Sequence, residues 1–202
     1  MTATIELFYD FRSPYAYFAA QRIRRGLVAH GHRFLWRPIS IDVLLNLQAG
    51  REPWAPYVDP LPAAKRAHLV ADVRRLAAYC DLPLRPTRPR RPNTIPALCL
   101  AKLLHEGQRA RFSDAVFVAL WQEQQDVSDP AVLERCLDQA GCSDQGTDAA
   151  FAEAGRADLA RDGAEAYARG IFGVPSFVIG DDMFFGHDRL DLLLWDIGRK
   201  SA

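Results

Sequence analysis

The sequence predicts an α/β protein whose single sheet domain is interrupted by an all-helical insertion. Three observations carry that expectation: a strand, helix, strand run opens the 202-residue chain, a strand, strand, helix run closes it, and helical periodicity fills the space between.

Residues 4–10 (Thr-Ile-Glu-Leu-Phe-Tyr-Asp) alternate with the period of a strand. Phe11-Arg12-Ser13-Pro14 follows, and proline at the first helical position opens a helix expected to reach about His30, where His30-Gly31-His32 stops it. Phe34-Leu35-Trp36-Arg37-Pro38 is a second strand ended by its proline. Elements joined in this way make a βαβ unit, for which parallel pairing is the natural outcome.

From about residue 40 to 169 the apolar spacing is helical, over Leu61–Cys80, Ile95–Glu106, Arg111–Gln124, Pro130–Gln139 and Asp144–Arg169. The segment Leu82–Asn93, dense in proline and arginine, is too rigid and polar for a core element and belongs on the surface. After Gly170, Pro175-Ser-Phe-Val-Ile-Gly reads as a strand, Asp181-Asp182 as a hairpin turn and Met183–Gly186 as the returning strand. A helix from Asp188 to about Arg199 ends the chain. The sheet domain is expected over residues 1–45 and 165–202, with the insertion at 46–164.

With 49% hydrophobic and 10% aromatic residues the chain has the material for a packed core, which excludes disorder. No run approaches the roughly 18 apolar residues of a membrane span, so a soluble protein is expected. Met1-Thr-Ala-Thr-Ile-Glu-Leu-Phe8 lacks the basic and apolar segments of a secretory signal, and the expected location is cytoplasmic. Cys80, Cys99, Cys136 and Cys142 form no C-x-x-C and fall on apolar helix faces. Buried thiols are expected there, with neither a disulfide framework nor a metal site.

The 25 basic and 25 acidic side chains cancel, yet residues 1–111 carry 18 basic and 8 acidic, and residues 112–202 carry 7 and 17. A basic half is one signature of a noncatalytic nucleic-acid-binding module. Against it, the loop Arg85-Pro-Thr-Arg-Pro-Arg-Arg91 has no interleaved aromatics for base stacking, and prolines interrupt its charge. The crossover falls inside the helical insertion, so the basic residues are expected to form a local cationic rim. Such a rim suits small carboxylates or the acidic surface of a second subunit, with no role for nucleic acid.

Three places offer chemistry. Ser13 precedes a helix whose unpaired N–H groups and dipole favour an anion; its hydroxyl either donates to that anion or caps the helix. Gly173-Val174-Pro175-Ser176 precedes a strand, where proline fits the first strand position or a tight turn, and ordinary X-Pro frequencies favour a trans bond. Gly186-His187-Asp188-Arg189 precedes the last helix, with Asp188 as the expected N-cap and backbone N–H groups suited to a carboxylate.

Together, Phe8-Tyr-Asp-Phe-Arg-Ser-Pro-Tyr-Ala-Tyr17, Gly173-Val-Pro-Ser-Phe177 and Phe185-Gly-His-Asp-Arg-Leu-Asp191 resemble the 2-hydroxychromene-2-carboxylate isomerases and kappa-class glutathione transferases. These belong to the DsbA-like branch of the thioredoxin-like superfamily, and the resemblance spans essentially the whole chain. It implies a thioredoxin-like sheet domain, glutathione as cofactor, a small aromatic carboxylate as substrate and a homodimer. The implied activity is glutathione-dependent isomerisation of an aromatic-degradation intermediate, with glutathione transfer or peroxidation as the alternative.

By this resemblance Ser13 activates the glutathione sulfur. Ser13 and Ala16 stand where redox relatives have the two cysteines of C-x-x-C, which leaves no thiolate for dithiol exchange. Val174 pairs through its backbone with the cysteinyl part of glutathione, its bond to Pro175 is cis, and His187 and Asp188 hold the γ-glutamyl end. Lys65 and Asp72, seven residues apart and so nearly on one helix face, bind glutathione, with Lys65 meeting a carboxylate; the spacing alone implies a solvated charged pair. Asn93, in Arg91-Pro-Asn-Thr, is an N-cap, a contact to glutathione and substrate, or both. Tyr15 and Arg51 are the other substrate contacts. Relatives have Gly-Asn followed by Pro where this chain reads Gly50-Arg51-Glu52-Pro53, so the usual asparagine contact is missing. Arg51 either receives an anionic substrate there or is simply an exposed loop arginine.

Overall fold

The computed structural model describes residues 2–26, 31–59 and 61–201. β1 (Thr4–Tyr9) leads through the Ser13-Pro14 turn into α1 (Pro14–Arg24), and β2 (Arg33–Pro38) returns parallel to β1 with Leu7 opposite Trp36. Between β2 and the second half of the sheet lie α2 (Ile41–Gln48), α3 (Ala63–Tyr79), α4 (Ile95–Leu103), α5 (Glu106–Trp121), α6 (Pro130–Ala140) and α7 (Glu153–Ala168). β3 (Ser176–Ile179) and β4 (Asp182–Phe185) form a hairpin, and α8 (Leu190–Ser201) closes the chain. The strand order is β2-β1-β3-β4; β3 runs antiparallel to both neighbours and sets Phe177 between Leu7 and Phe184. The expected α/β architecture with intervening helices is therefore present.

Strand side chains alternate between faces, and this divides the interior. Ile5, Leu7 and Tyr9 share one core with α1, α8 and the helices α4 to α6, where Tyr9 meets Phe11 and Trp36 edge to face at 5.4 and 5.3 Å. Phe8 points the other way and packs with Ile39, Leu44, Ala166 and Val178 in a second core beneath α2 and α7. α7 runs unbroken across residue 165, so the helix covering this second face begins within the segment assigned to the insertion.

Several boundaries differ from expectation, each for a local reason. α1 ends at Arg24, well short of His30, because Gly26 takes a left-handed φ of 70°; residues 27–30 lie outside the described residues. α2 is a separate helix that the spacing did not resolve. α4 and α5 are parted only at Leu104-His105, because the Arg109 guanidinium donates to the carbonyls of Ala101, Lys102 and Leu104 and so satisfies the frayed end of α4. The expected Asp144–Arg169 helix divides into a 3-10 turn at Asp148–Phe151 and α7. The hairpin turn is Gly180-Asp181, one residue earlier than expected, since Gly180 supplies the positive φ of 57° and Asp182 already pairs with Ile179. Cys99, Cys136 and Cys142 are buried thiols, but Cys80, at the end of α3, is partly exposed. The loop after α3 lies largely at the surface, with Leu82, Thr87 and Pro92 buried. No helix among the described residues is long and apolar enough to cross a membrane.

Candidate active site

The parallel β1 strand ends where α1 begins, so the chain must turn at Asp10–Ser13. Asp10 fixes that turn: its buried carboxylate accepts the N–H of Arg12 and Ile41 at 2.9 Å and the Thr94 hydroxyl at 2.9 Å. Ser13 is the N-cap of α1. Its Oγ accepts the Ala16 N–H at 3.2 Å and donates to the Val174 carbonyl at 3.3 Å. Of the two roles foreseen for this serine the cap on α1 is present, and the hydroxyl is turned toward the segment before β3. The Val174-Pro175 bond is cis.

A cleft of about 1160 Å³ opens beside this turn, between α1 and α3, with the Val174-Pro175 and Phe185–Asp191 segments as its floor. It gathers Tyr15, Lys65, Asp72, Val174, Pro175, His187 and Asp188 into one place, seven of the residues expected to form the site. Ser13 adjoins it through its bond to Val174. Tyr15 is central: its hydroxyl donates to Asp72 at 3.1 Å, and its ring lies flat on His187, centroids 5.6 Å apart and planes 15° apart. Burial, and after it the Asp72 carboxylate, push the Tyr15 phenol up to about 12, so it is a donor across the physiological range. Burial holds His187 below its ordinary 6.5, with Arg22 acting in the same direction against Asp188 and Asp72.

Three expectations change. Asp188 does not cap the last helix; it lies inside a 3-10 turn, His187–Arg189, that runs into α8, and pairs with Arg189 at 3.4 Å. Asn93 is separated from the main cleft. Its Oδ1 accepts the Ile95 N–H at 3.2 Å, the capping alternative, and it faces a second cavity of about 210 Å³ with Arg12, Asp42 and Arg91. There Arg12 grips Asp42 through two bonds of 2.9 and 2.5 Å, and Arg91 reaches the same carboxylate at 2.6 Å while lying over the Tyr57 ring. Arg51 donates to the Pro56 carbonyl at 3.0 Å, holds its own loop and lines neither space.

The cleft also contains residues the sequence reading passed over. Arg22 lies two turns along α1 from Tyr15, donates to the His187 carbonyl at 3.1 Å and pairs with Asp191 at 2.8 Å. Leu69, Leu76 and Tyr79 add an apolar stripe on α3. The seven-residue spacing from Tyr15 to Arg22, the same one that marks Lys65 and Asp72, is the sequence signal that could have found Arg22.

A strand ending at a helix-capping serine, opposed by a cis-proline segment that opens a β-hairpin, defines a thioredoxin-like site. Residues 4–198 match the family model of the DSBA-like thioredoxin domain, and the chain belongs to that family. Among its relatives, the 2-hydroxychromene-2-carboxylate isomerase of Sphingobium xenophagum is 29% identical over 202 residues, covering 96% of this chain and 97% of that protein. Glutathione S-transferase kappa 1 of Homo sapiens is 24% identical, covering 98% and 92%. The solved structure of a 2-hydroxychromene-2-carboxylate isomerase superposes with a TM-score of 0.78 at 24% identity, over 98% of this chain and 96% of that one.

Proposed function

We propose that this protein is a glutathione-dependent isomerase of an aromatic-degradation intermediate of the 2-hydroxychromene-2-carboxylate type. The observation that carries the reading is the Ser13 hydroxyl, held at the N-terminus of α1 and directed at Val174 beside a cleft roomy enough for a tripeptide. Full-length similarity to proteins named as isomerases supports an isomerase-type enzyme.

The residues present fit glutathione. Lys65 makes no ion pair among the described residues and is available to a carboxylate. Val174 offers backbone pairing, and Asp188, His187 and Asp72 surround the space for a γ-glutamyl end. Bound there, glutathione would supply a nucleophilic thiol able to add reversibly to a conjugated C=C, which would free that bond to rotate and return the thiol unchanged.

Ser13 governs ionisation. A thiol of pKa near 8.5 is roughly 3% ionised at pH 7, and a hydroxyl donor at a helix N-terminus raises that fraction. The Ser13 hydroxyl needs only to rotate from the Val174 carbonyl to donate to sulfur, and it forms no covalent bond itself. Tyr15 stays protonated throughout the working range and gives its one proton to Asp72, so it serves charge developing on the substrate oxygen only by turning from that carboxylate. Asn93, which faces the second cavity, and Arg51, which holds its own loop, are left out of the contacts to the aromatic carboxylate.

The test mixes purified protein, glutathione and 2-hydroxychromene-2-carboxylate and follows both absorbance and free thiol. The reading predicts a glutathione-stimulated absorbance change with thiol conserved; thiol consumed in step with substrate indicates the transferase alternative suggested by the kappa-class relative, and no stimulation removes the isomerase reading. The same reading makes the protein a cytoplasmic homodimer, for which light scattering in solution is the check.

A further inference from the structure

Among the described residues, one buried side-chain nitrogen or oxygen stands without a hydrogen-bond partner: Nδ1 of His187. Buried polar atoms are nearly always paired, so an orphan on a residue that lines a cleft calls for a partner that arrives. The imidazole is nine-tenths buried, stacked on the Tyr15 ring at 5.6 Å and tilted against Phe18 at 5.7 Å, and neither of these rings offers a hydrogen bond to it. Its backbone is equally fixed. The Gly186 N–H donates to the Pro175 carbonyl at 2.9 Å, and the His187 carbonyl accepts from Arg22, so the ring sits one residue from the segment that Ser13 touches.

We propose, building on the glutathione-binding reading, that entry of an anionic tripeptide into this cleft is coupled to proton uptake by His187. The charges around the ring come from every element that packs on it. α1 brings Arg22, already paired with Asp191 of α8; α3 brings Asp72, itself bonded to Tyr15, and Lys65; the 3-10 turn brings Asp188 and Arg189, paired with each other. In the ligand-free cleft, burial and then Arg22 hold the ring below its ordinary 6.5, against Asp188 and Asp72, and so favour the neutral form. A carboxylate entering the cleft supplies negative charge and the acceptor that Nδ1 lacks, and both favour the imidazolium. The proton is taken from solvent onto the imidazole, and no bond of the ligand is broken. Affinity then depends on pH as a linked equilibrium, by up to tenfold for each pKa unit that the ligand adds to His187.

S-methylglutathione is the probe, because without a thiol it contributes no proton of its own. Calorimetric titration in two buffers of different protonation enthalpy, near pH 7, counts protons directly. The wild-type protein is expected to take up a fraction of a proton per ligand and to bind more weakly as pH rises. His187→Asn and His187→Gln should bind with heats independent of buffer and with a flattened pH profile. Binding by the wild type without proton uptake overturns the proposal, as does uptake that persists in both variants. Absence of binding by S-methylglutathione and glutathione alike overturns the glutathione-binding reading on which the proposal stands, an outcome distinct from binding without protons.

Discussion

The Ser13 hydroxyl donates to the Val174 carbonyl at 3.3 Å across 161 positions of sequence. That bond joins the start of α1, in the first half of the sheet, to the cis-proline segment that opens the second half. In the proposed mechanism the same hydroxyl turns from that carbonyl to a ligand sulfur.

Replacing this hydroxyl separates its two roles. Ser13→Ala should lower glutathione-dependent turnover by about 10²-fold or more, the usual cost of losing one preorganised donor to a developing anion. The lost cap on the Ala16 N–H should cost only about 1 kcal/mol of stability. Steady-state kinetics beside a denaturant melt read both quantities; unchanged turnover would remove Ser13 from the mechanism.

Tyr15 ties α3 to the site. Only Ala77 of α3 is fully buried, with Val73 and Leu76 packed partly against the core; Arg25 adds bonds to the Cys80 and Asp81 carbonyls at its C-terminal end, 3.2 and 3.0 Å, and Tyr15 adds its bond to Asp72 near the middle. Tyr15→Phe should cost about 1 kcal/mol. Faster amide exchange along α3, with β1 and α5 unaffected, is the expected signature.

Lys65→Met should raise KM for glutathione several-fold with little change in kcat, because the lysine lines the cleft and the role proposed for it is to bind a carboxylate, with no part in bond making. The wild-type KM should rise with added salt and the variant's should not. Equal KM values at low ionic strength would place Lys65 outside the binding surface.

Acid should weaken the fold in two stages. Burial pushes the Glu6 carboxyl up, but hydrogen bonds and charge from Arg169 and Arg37 outweigh it, and the net position is below the ordinary 4.5. Its stabilisation is therefore complete above that value and lost as pH falls below it. His187, held below 6.5, follows the same sign: the folded state resists the proton, and stability falls as pH drops from 6.5 toward its depressed value. Urea midpoints measured from about pH 7 down to about pH 3 should show both losses. Glu6→Gln should shrink the lower one, to which Asp42, held down by Arg12 and Arg91, also contributes, and His187→Asn should remove the upper.

The sequence reveals most of the sheet because strand alternation and a proline at a helix start are local signals. Where a boundary depends on a distant side chain the sequence is silent. The apolar spacing separates α4 from α5 but puts the gap at residues 107–110; Arg109, folding back over three carbonyls, sets the break at Leu104-His105. The site divides in the same way. Ser13, Val174 and Asp188 are read from motifs, while the Tyr15–Asp72 bond and the stacking of Tyr15 on His187 are three-dimensional facts. Asn93 and Arg51 illustrate the converse: the motif marks the residues, but the backbone sends Asn93 to the second cavity and Arg51 to its own loop.

The most direct measurement is a crystal structure of the protein soaked with glutathione. The account predicts the sulfur beside the Ser13 hydroxyl, with the tripeptide backbone along Val174 and its carboxylates toward Lys65 and the His187-Asp188 turn. Glutathione bound elsewhere, or bound in the cleft with its sulfur turned away from Ser13, would contradict it.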